Sequence, residues 1–361
     1  MGSHVAELFT ETDKLCAQLL INAEVVTDCQ RVDKEINNSE IFTRIENIIL
    51  EIVTSLSKDK APVLALPNRS SWVNISFDSA IGLQMSSESF VTTIRSDCPS
   101  SVTKFAQILK MLSVIYRLVQ SNSYATKRDI YYNNTQLFGS QKTVDNIVDD
   151  ISCMLKVPRR SLHVAVAVSS NIGGIRDIVS SAKFVMIVEK DATFQRLLDD
   201  DFCTKLSPCI IITGKGVPDV NSRLMVRKLW DTLHIPIFAL VDADPHGIEI
   251  MCIYKYGSVA MSFEAHSLTV PSLMWLGLLP SDLQRLRVPE DALIPLTKRD
   301  ESKLSSLLQR PYLTNQPEWQ KEMELMKQSK VKAEIQSLAA IAPDFLTSIY
   351  LPNKLRYGGW V

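Results

Sequence analysis

Short, unbroken apolar runs that alternate with helical segments constrain the fold of this chain most strongly. Four such runs follow residue 163, and they read VAVAV, KFVMIVEK, CIIITGK and IPIFALVDADP. Runs of this length without polar alternation are typical of strands that are buried on both faces of a sheet. The segments between them, TFQRLLDDDFCTKL and VNSRLMVRKLWDTL, have helical spacing. Strands that alternate with helices predict a parallel α/β sheet with right-handed crossovers.

The N-terminal part of the chain has a different pattern. The run IFTRIENIILEIVTSL has an apolar residue at every third or fourth position, which predicts a helix over residues 41–56. Residues 3–21 predict a weaker helix, and residues 58–100, rich in Ser, Pro and Asp, predict a mostly irregular connection. The tail from 270 to 361 is predicted to be helical and polar. The Ile-rich helix could pack against its own protein or against a partner, and the pattern leaves both open.

Three further helices are predicted within residues 102–163, where they read TKFAQILKMLSVIYRLVQS, KRDIYYNNTQLF and GSQKTVDNIVDDISCML. Such a group is typical of a helix-turn-helix or winged-helix unit. Residues 103–163 hold nine Lys and Arg against four Asp, a net charge of +5 in a chain whose net charge is −1. This local charge is compatible with a DNA-binding groove or with a solvated helix face. The balance of the whole chain, 39 basic against 40 acidic residues, excludes a globally basic nucleic-acid coat.

Several protein classes are excluded by simpler features. Seven scattered cysteines without a CxxC pair favour reduced thiols in the cytosol or nucleus and argue against a zinc site. No apolar stretch reaches the ~18 residues that a membrane span requires, so we expect no integral membrane protein. The start, MGSHVAELFTETDK, has neither a basic nor an apolar leader region, so no secretory signal is expected.

Acidic residues follow two of the predicted strands. Glu189 comes directly after FVMIV, and Asp242 and Asp244 come after IFALV. The carboxyl ends of parallel strands line the ligand crevice of an open sheet. A carboxylate there is costly to desolvate unless a cation or a donor meets it, and three converging carboxylates suit Mg²⁺. The alternative is that each residue caps a helix or a turn.

Three other motifs could carry chemistry. The turn around Lys215 in ITGKGVPD could approach a phosphate or be an ordinary turn, and no P-loop pattern exists, which argues against ATP hydrolysis by this chain. Arg128 lies four residues before Tyr132, on the same helix face, so it could stabilise a tyrosine nucleophile. Tyr132 could equally be a core aromatic, and His246 could touch a phosphate or cap a turn.

The segments KRDIYYNN, VEKDATF, ITGKGVPD and LVDADPHG, in this order, resemble the A-type subunit of archaeal topoisomerase VI. The resemblance extends from about residue 40 to PNKLRYGGWV and is closest to the eukaryotic branch of meiotic double-strand-break proteins. It implies a CAP-like winged-helix domain with a nucleophilic tyrosine, followed by a Toprim domain with a Rossmann-like parallel sheet. The implied domains are an N-terminal helical extension (1–100), the winged helix (101–164) and the Toprim domain with a C-terminal helical region (165–361).

The resemblance also implies roles for single residues. Tyr132 would attack the DNA backbone and become linked to the 5′ phosphate, and Arg128 would hold the scissile phosphate. Glu189, Asp242 and Asp244 would bind Mg²⁺, with Mn²⁺ also suited to an all-oxygen site, and Glu189 would assist proton transfer. The residues expected to contact DNA are Lys127, Arg128, Lys215, Arg223 and His246.

Partners are implied in the same way. The active form would be a homodimer, because Tyr132 of one protomer meets the carboxylates of the other. A B-type subunit, which hydrolyses ATP in the family's holoenzyme, would dock on the N-terminal helical region to form a heterotetramer. The other implied partners are double-stranded DNA and further meiotic break-forming proteins, and the location would be the nucleus, on meiotic chromosomes.

One departure from the family pattern keeps alternatives open. The segment RRSLHVAVAVSSNIGG leads almost directly into the predicted Toprim domain, so the wing and its linker are shortened. A catalytically inactive DNA-binding or scaffold member of the family is therefore the alternative. A Toprim nuclease without the tyrosine step would leave free 5′ ends. A haloacid-dehalogenase-like phosphatase is disfavoured, because Pro245-His246-Gly247 follows the DxD motif where that chemistry needs Thr or Val.

Overall fold

The structure is a computed structural model, and it describes residues 37–86, 90–123, 125–165, 172, 175, 177–205 and 208–361. The weak helix predicted over residues 3–21 lies outside this part. The first described helix, α1 (Asn38–Leu56), agrees with the helix predicted over residues 41–56. The Asn37 side chain caps α1 by accepting a hydrogen bond from the backbone N–H of Ser39.

The prediction of an irregular connection over residues 58–100 is wrong. Two antiparallel pairs of strands form there: β1 (Val63–Pro67) with β4 (Val91–Arg95), and β2 (Ile75–Asp78) with β3 (Gly82–Met85). Each strand has only four or five residues, and exposed positions alternate with less exposed ones in β1 and β2 and predominate in β4; in β1 only Leu64 and Leu66 are fully buried. Such short strands owe their pairing to surrounding contacts rather than to a strong local pattern.

Helices fill the next segment, which contains the basic residues. They are α2 (Val102–Gln120), α3 (Lys127–Tyr132), α4 (Thr135–Phe138) and α5 (Gln141–Leu155). The second predicted helix is therefore divided in two. Ser140 caps α5 by accepting a hydrogen bond from the N–H of Thr143 at 3.2 Å. A short 3-10 helix (Arg159–Leu162) follows, and β5 (Ala125–Thr126) pairs in parallel with β6 (Val164–Ala165).

A four-stranded parallel sheet confirms the α/β prediction. Its strands are β7 (Val185–Val188), β8 (Ile210–Thr213), β9 (Ile237–Leu240) and β10 (Met274–Gly277), in the order β10-β9-β7-β8. The crossovers are α6 (Asp191–Asp199), α7 (Phe202–Lys205) and α8 (Val220–Leu233), and α9 (Pro245–Tyr256) follows β9. Every residue of β7 and β9 is buried, as their unbroken apolar runs predicted. The run VAVAV contributes its first two residues to β6, outside this sheet.

The tail after residue 270 is mostly helical, but it also supplies β10, which the prediction missed. Its helices are α10 (Pro280–Arg285), α11 (Lys298–Leu308), α12 (Pro317–Ser329) and α13 (Leu351–Tyr357). Two further short strands, β11 (Ile294–Pro295) and β12 (Val331–Lys332), pair with each other. Trp275 in β10 packs edge-on against Trp319 of α12, with ring centroids 5.9 Å apart. No helix in the described part of the chain has the length and apolarity needed to cross a membrane.

Candidate active site

Two of the three predicted carboxylates, Glu189 and Asp242, meet at the carboxyl end of the sheet. Glu189 directly follows β7 and Asp242 lies two residues beyond β9, and these two strands are neighbours with Val188 opposite Leu240. Glu189 is 7% exposed and Asp242 is 1% exposed. The sheet order thus brings together two acidic residues that are far apart in sequence.

Backbone donors hold each of the three carboxylates. The N–H of Asp242 donates to Glu189 Oε2 at 2.8 Å, and the N–H of Ile335 donates to Asp242 Oδ1 at 2.9 Å. Asp244 is the N-cap of α9, where its Oδ1 accepts a hydrogen bond from the N–H of Gly247 at 2.6 Å. The capping role considered for these acids is therefore real for Asp244.

Burial makes it unfavourable for these carboxylates to be charged without a cation nearby. Burial, together with the charge of Asp242, raises the pKa of Glu189 from 4.5 to about 7. Burial also raises the pKa of Asp242, although the ammonium of Lys190 acts against the increase. Groups with these pKa values gain from a nearby cation, which favours their charged form.

Lys190 supplies such a cation within the chain. Its Nζ lies 2.7 Å from Asp242 Oδ2 and 2.8 Å from Glu334 Oε1. Burial acts to lower the pKa of Lys190, but the bonds to Asp242 and Glu334 outweigh it and raise the pKa above its ordinary value. Sequence reasoning overlooked both residues: Lys190 is visible beside Glu189 in VEKDATF, whereas nothing in the sequence points to Glu334.

The carboxylate oxygens at this site are suitable ligands for a divalent cation, but they are not arranged as a metal site requires. Carboxylate oxygens are the ligands that Mg²⁺ and Mn²⁺ prefer. Within the described ranges, however, no three His, Cys, Asp or Glu side chains converge as a metal site would require. Both oxygens of Asp242 are already engaged, one by a backbone N–H and one by Lys190.

Gly247 allows the close approach of α9 to these carboxylates. A Cβ atom at this position would lie 2.7 Å from the backbone oxygen of Asp242 and 2.8 Å from Glu189 Oε2. Real side chains do not come so close to other atoms, so the arrangement requires glycine here. Gly247 is visible in the motif LVDADPHG, but the spacing of the motif did not predict that α9 packs so closely against the carboxylates.

Tyr132 lies at the end of α3 and is 70% exposed, so it is not a core residue. Its ring contacts that of Tyr131 with centroids 5.6 Å apart, and the Tyr131 hydroxyl donates to the carbonyl of Gly139. Arg128, one turn earlier, is also exposed. Across the described ranges, no hydrogen bond or ion pair joins Tyr132 or Arg128 to the carboxylates.

The remaining candidates differ in access to solvent. Lys215 is exposed, 3.3 Å from Asp191, and the N–H of the next residue, Gly216, donates to the carbonyl of Glu189. His246 stands in the first turn of α9, 3.8 Å from Asp300.

Lys127 and Arg223 are less exposed to solvent than Lys215. The Lys127 ammonium pairs with Asp145 at 2.8 Å, and 13% of its side chain is exposed. Arg223 was expected to contact phosphate, but it is 3% exposed, and burial lowers its pKa to about 10. The structure does not bring Arg223 to a surface that DNA could reach.

Two family models match the chain. The model for the Toprim domain shared by Spo11 and the A-type subunit of topoisomerase 6 matches residues 184–355, and the model described as "Type IIB DNA topoisomerase" matches residues 103–164. The first segment contains the carboxylates and the second contains Tyr132.

Similar proteins cover almost the whole chain. Meiotic recombination protein SPO11 of Homo sapiens is 62% identical over an alignment of 354 positions, gaps included, and the alignment covers 90% of this chain and 89% of the relative. The protein of the same name from Mus musculus is 58% identical with the same coverage. The A-type subunit of DNA topoisomerase 6 from Arabidopsis thaliana is 33% identical over an alignment of 371 positions, gaps included, and the alignment covers 95% of this chain and 86% of the relative.

Proposed function

Since the chain belongs to the family of Spo11 and the A-type subunit of topoisomerase 6, we propose that it is a transesterase that forms meiotic DNA double-strand breaks and so initiates homologous recombination. Family membership confirms the resemblance found in the sequence motifs. The observation that supports the activity best is the buried pair of carboxylates, Glu189 and Asp242, at adjoining strand ends. An exposed tyrosine in the segment that matches type IIB topoisomerases adds the second requirement of the reaction.

In the proposed reaction, the Tyr132 hydroxyl attacks a backbone phosphorus. A bond forms between the tyrosine oxygen and the phosphorus, and the bond to the 3′ oxygen breaks. The leaving 3′ oxygen takes up a proton while the phenol loses one. One phosphodiester replaces another, so the cutting step needs no nucleotide. Arg128 supports this role, because its exposed guanidinium shares a helix face with Tyr132 and could hold the phosphate.

Glu189 is the candidate for moving these protons. A carboxylate can accept a proton as a general base, and Glu189 lies beside Asp242 at the strand ends. Glu189, Asp242 and Asp244 would hold Mg²⁺ or Mn²⁺. When bound, this cation would neutralise charge on the phosphate oxygens. Lys215 and His246, both near the same end of the sheet, could contact the flanking phosphates, as could Lys127 at the start of the helix that ends at Tyr132.

A homodimer would assemble the complete site. In the described part of the chain, Tyr132 makes no polar contact with the carboxylates of its own protomer. This supports the family arrangement in which the tyrosine of one protomer faces the carboxylates of its partner. Two such composite sites would cut the two strands of one duplex.

A B-type subunit would dock on the N-terminal helical region and supply ATP hydrolysis. Helix α1 buries Ile41, Ile45 and Ile52, but Leu50, Val53 and Leu56 are 55–63% exposed. Between α1 and α2 lies an open, largely apolar groove of about 830 Å³. Apolar surface of this kind marks an interaction site, which supports a partner at α1. The proposal includes a nuclear location and contacts with other meiotic break-forming proteins.

The inactive scaffold alternative is not favoured. The exposed tyrosine and the buried carboxylates are both present, and the matched segments end at residue 164 and resume at residue 184. The shortened wing lies mainly between them, and residues 166–171, 173, 174 and 176 of this stretch lie outside the described part of the chain. The domain limits at residues 100 and 164 remain part of the proposal.

A cleavage assay tests the function. Supercoiled DNA is incubated with Mg²⁺ or Mn²⁺, the chain at high concentration and the B-type partner. We expect protein attached to 5′ ends with the wild type and with the matched control Tyr131→Phe, but not with Tyr132→Phe. Free ends made equally by all three would indicate a metal nuclease instead. Binding without cleavage by the wild type would indicate the scaffold alternative.

The composite site has its own test. Tyr132→Phe and Asp242→Asn chains are each expected to be inactive, because one lacks the nucleophile and the other a carboxylate. When mixed as dimers, they contain one intact composite site, so they should nick one strand. If mixing restores no nicking while wild-type dimers cut, the site lies within a single protomer or needs both sites at once.

A further inference from the structure

Lys190 occupies an unusual position between two segments of the chain. It follows Glu189 and precedes α6, and its side chain is 32% exposed. On one side its ammonium meets Asp242, whose side chain is 2% exposed, and on the other it meets Glu334, whose side chain is 52% exposed. The ammonium therefore links a buried carboxylate to one at the surface.

The segment that carries Glu334 fixes both oxygens of Asp242. The N–H of Ile335 donates to Asp242 Oδ1, and Glu334 holds the Lys190 ammonium that pairs with Oδ2. Ala333, in the same segment, exchanges two backbone hydrogen bonds with Ala243. A cation approaching Asp242 therefore finds one oxygen bonded to the backbone and the other paired with an ammonium.

The pairing has a clear electrostatic reason. An ionised carboxylate with almost no access to water is strongly unfavourable unless a positive charge lies beside it. Glu189 lies next to Asp242 and adds a second negative charge as it ionises. Lys190 is the ammonium that the described structure places in contact with Asp242, and it neutralises that residue without a metal.

We propose that Lys190 is a built-in counter-cation that occupies Asp242 in the metal-free chain and turns out toward Glu334 when a divalent cation binds there. The inference rests on the proposed metal-binding role of Asp242. The partly exposed position of Lys190 leaves room for this movement, and the pairing with Glu334 retains the ammonium near the site. Lys190 is thus a positioning residue that sets the affinity of the site for metal.

Two opposite effects follow from removing the ammonium. Without metal, Lys190→Gln leaves Asp242 unpaired, so the fold loses stability. With metal, the competing positive charge is gone, so binding becomes tighter. A residue with a merely structural role would lower stability under both conditions, and a residue that only holds phosphate would change neither metal affinity nor stability.

The test measures Mn²⁺ binding by the full chain, with the free ion followed by its paramagnetic resonance signal, together with thermal unfolding in EDTA and in excess Mn²⁺. We expect Lys190→Gln to bind Mn²⁺ about tenfold more tightly than the wild type, equal to about 1.4 kcal/mol. Its lower Tm in EDTA should return to the wild-type value in Mn²⁺, because the ion replaces the ammonium. Lys183→Gln, the same substitution at an exposed site before β7, is the matched control and should change neither property.

A second measurement on the wild type does not depend on the folding of a variant. Acetylation of lysine amines, read by mass spectrometry, should modify Lys190 several-fold faster in Mn²⁺ than in EDTA, because its ammonium has left Asp242. The rate at Lys183 should stay constant. An unchanged acetylation rate at Lys190 would overturn the inference. So would a Lys190→Gln variant that binds Mn²⁺ no more tightly than the wild type does.

The two proposals fail in different ways. If neither the wild type nor Lys190→Gln binds Mn²⁺, or if Asp242→Asn binds it as the wild type does, the proposed metal role of Asp242 is wrong and the inference falls with it. If Mn²⁺ binds through Asp242 but with the same affinity in the wild type and in Lys190→Gln, only the inference is wrong.

Discussion

Substitution of Glu189 by Gln should change how the stability of the metal-free chain depends on pH. The folded chain holds the Glu189 proton up to a pKa of about 7, against an ordinary value of 4.5, because of burial and the charge of Asp242. Between these two values the folded state binds more protons than the unfolded state, so stability falls as the pH rises. At about 1.4 kcal/mol for each pH unit, the loss amounts to ~3 kcal/mol.

The glutamine of the Glu189→Gln variant has no proton to lose, yet its amide oxygen can still accept the N–H of Asp242. We therefore expect the stability of Glu189→Gln, relative to the wild type, to increase by ~3 kcal/mol from about pH 4.5 to about pH 8. Urea unfolding in EDTA across this pH range measures the difference. EDTA is essential, because a bound cation would compensate the charge of Glu189. Parallel pH profiles of the two proteins would refute the reasoning that burial and the charge of Asp242 raise the pKa of Glu189.

Two further substitutions test the packing of the site and the proposed partner surface. Gly247→Ala should lower the free energy of unfolding by about 2 kcal/mol, because the Cβ of the alanine overlaps the Asp242 backbone and Glu189. For the same reason it should weaken Mn²⁺ binding. A change in the free energy of unfolding below ~0.5 kcal/mol, measured by urea unfolding, would argue against the close contact. Leu50→Asp, on the exposed face of α1, should leave stability within ~0.5 kcal/mol but reduce capture of the B-type partner in a pull-down. Val179→Asp, at an exposed apolar residue elsewhere, is the control, and equal capture by both variants would remove α1 from the proposed interface.

Three strands of the central sheet, β7, β8 and β9, were predictable because each contains an unbroken apolar run. β7 and β9 are the clearest cases. The strand β10 was missed, since MWLG is short and lies within a largely helical tail, and its partner β9 determines its position. The strands β1 to β4 were missed for a related reason: each has only four or five residues, and none of them has the unbroken buried run of β7 or β9.

The site shows the same division between local and distant signals. Glu189 and Asp242 were identified because a carboxylate directly after a buried strand is conspicuous in any sequence. One of the two ion pairs that Lys190 makes is with Glu334, which reaches the site through the fold alone. The burial of Arg223 was equally invisible, since a basic residue on an amphipathic helix ordinarily faces water.

The most direct test of the proposed function identifies the amino acid that carries the DNA. The covalent adduct formed with Mg²⁺ or Mn²⁺ and the B-type partner is purified, digested with nuclease and trypsin, and sequenced by mass spectrometry. Cleavage after Arg128 and Lys142 yields a peptide, residues 129–142, that contains both Tyr131 and Tyr132. We predict a nucleotide joined through its 5′ phosphate to Tyr132. A nucleotide on Tyr131 or on any other residue, or DNA ends without an attached peptide, would contradict the proposed mechanism.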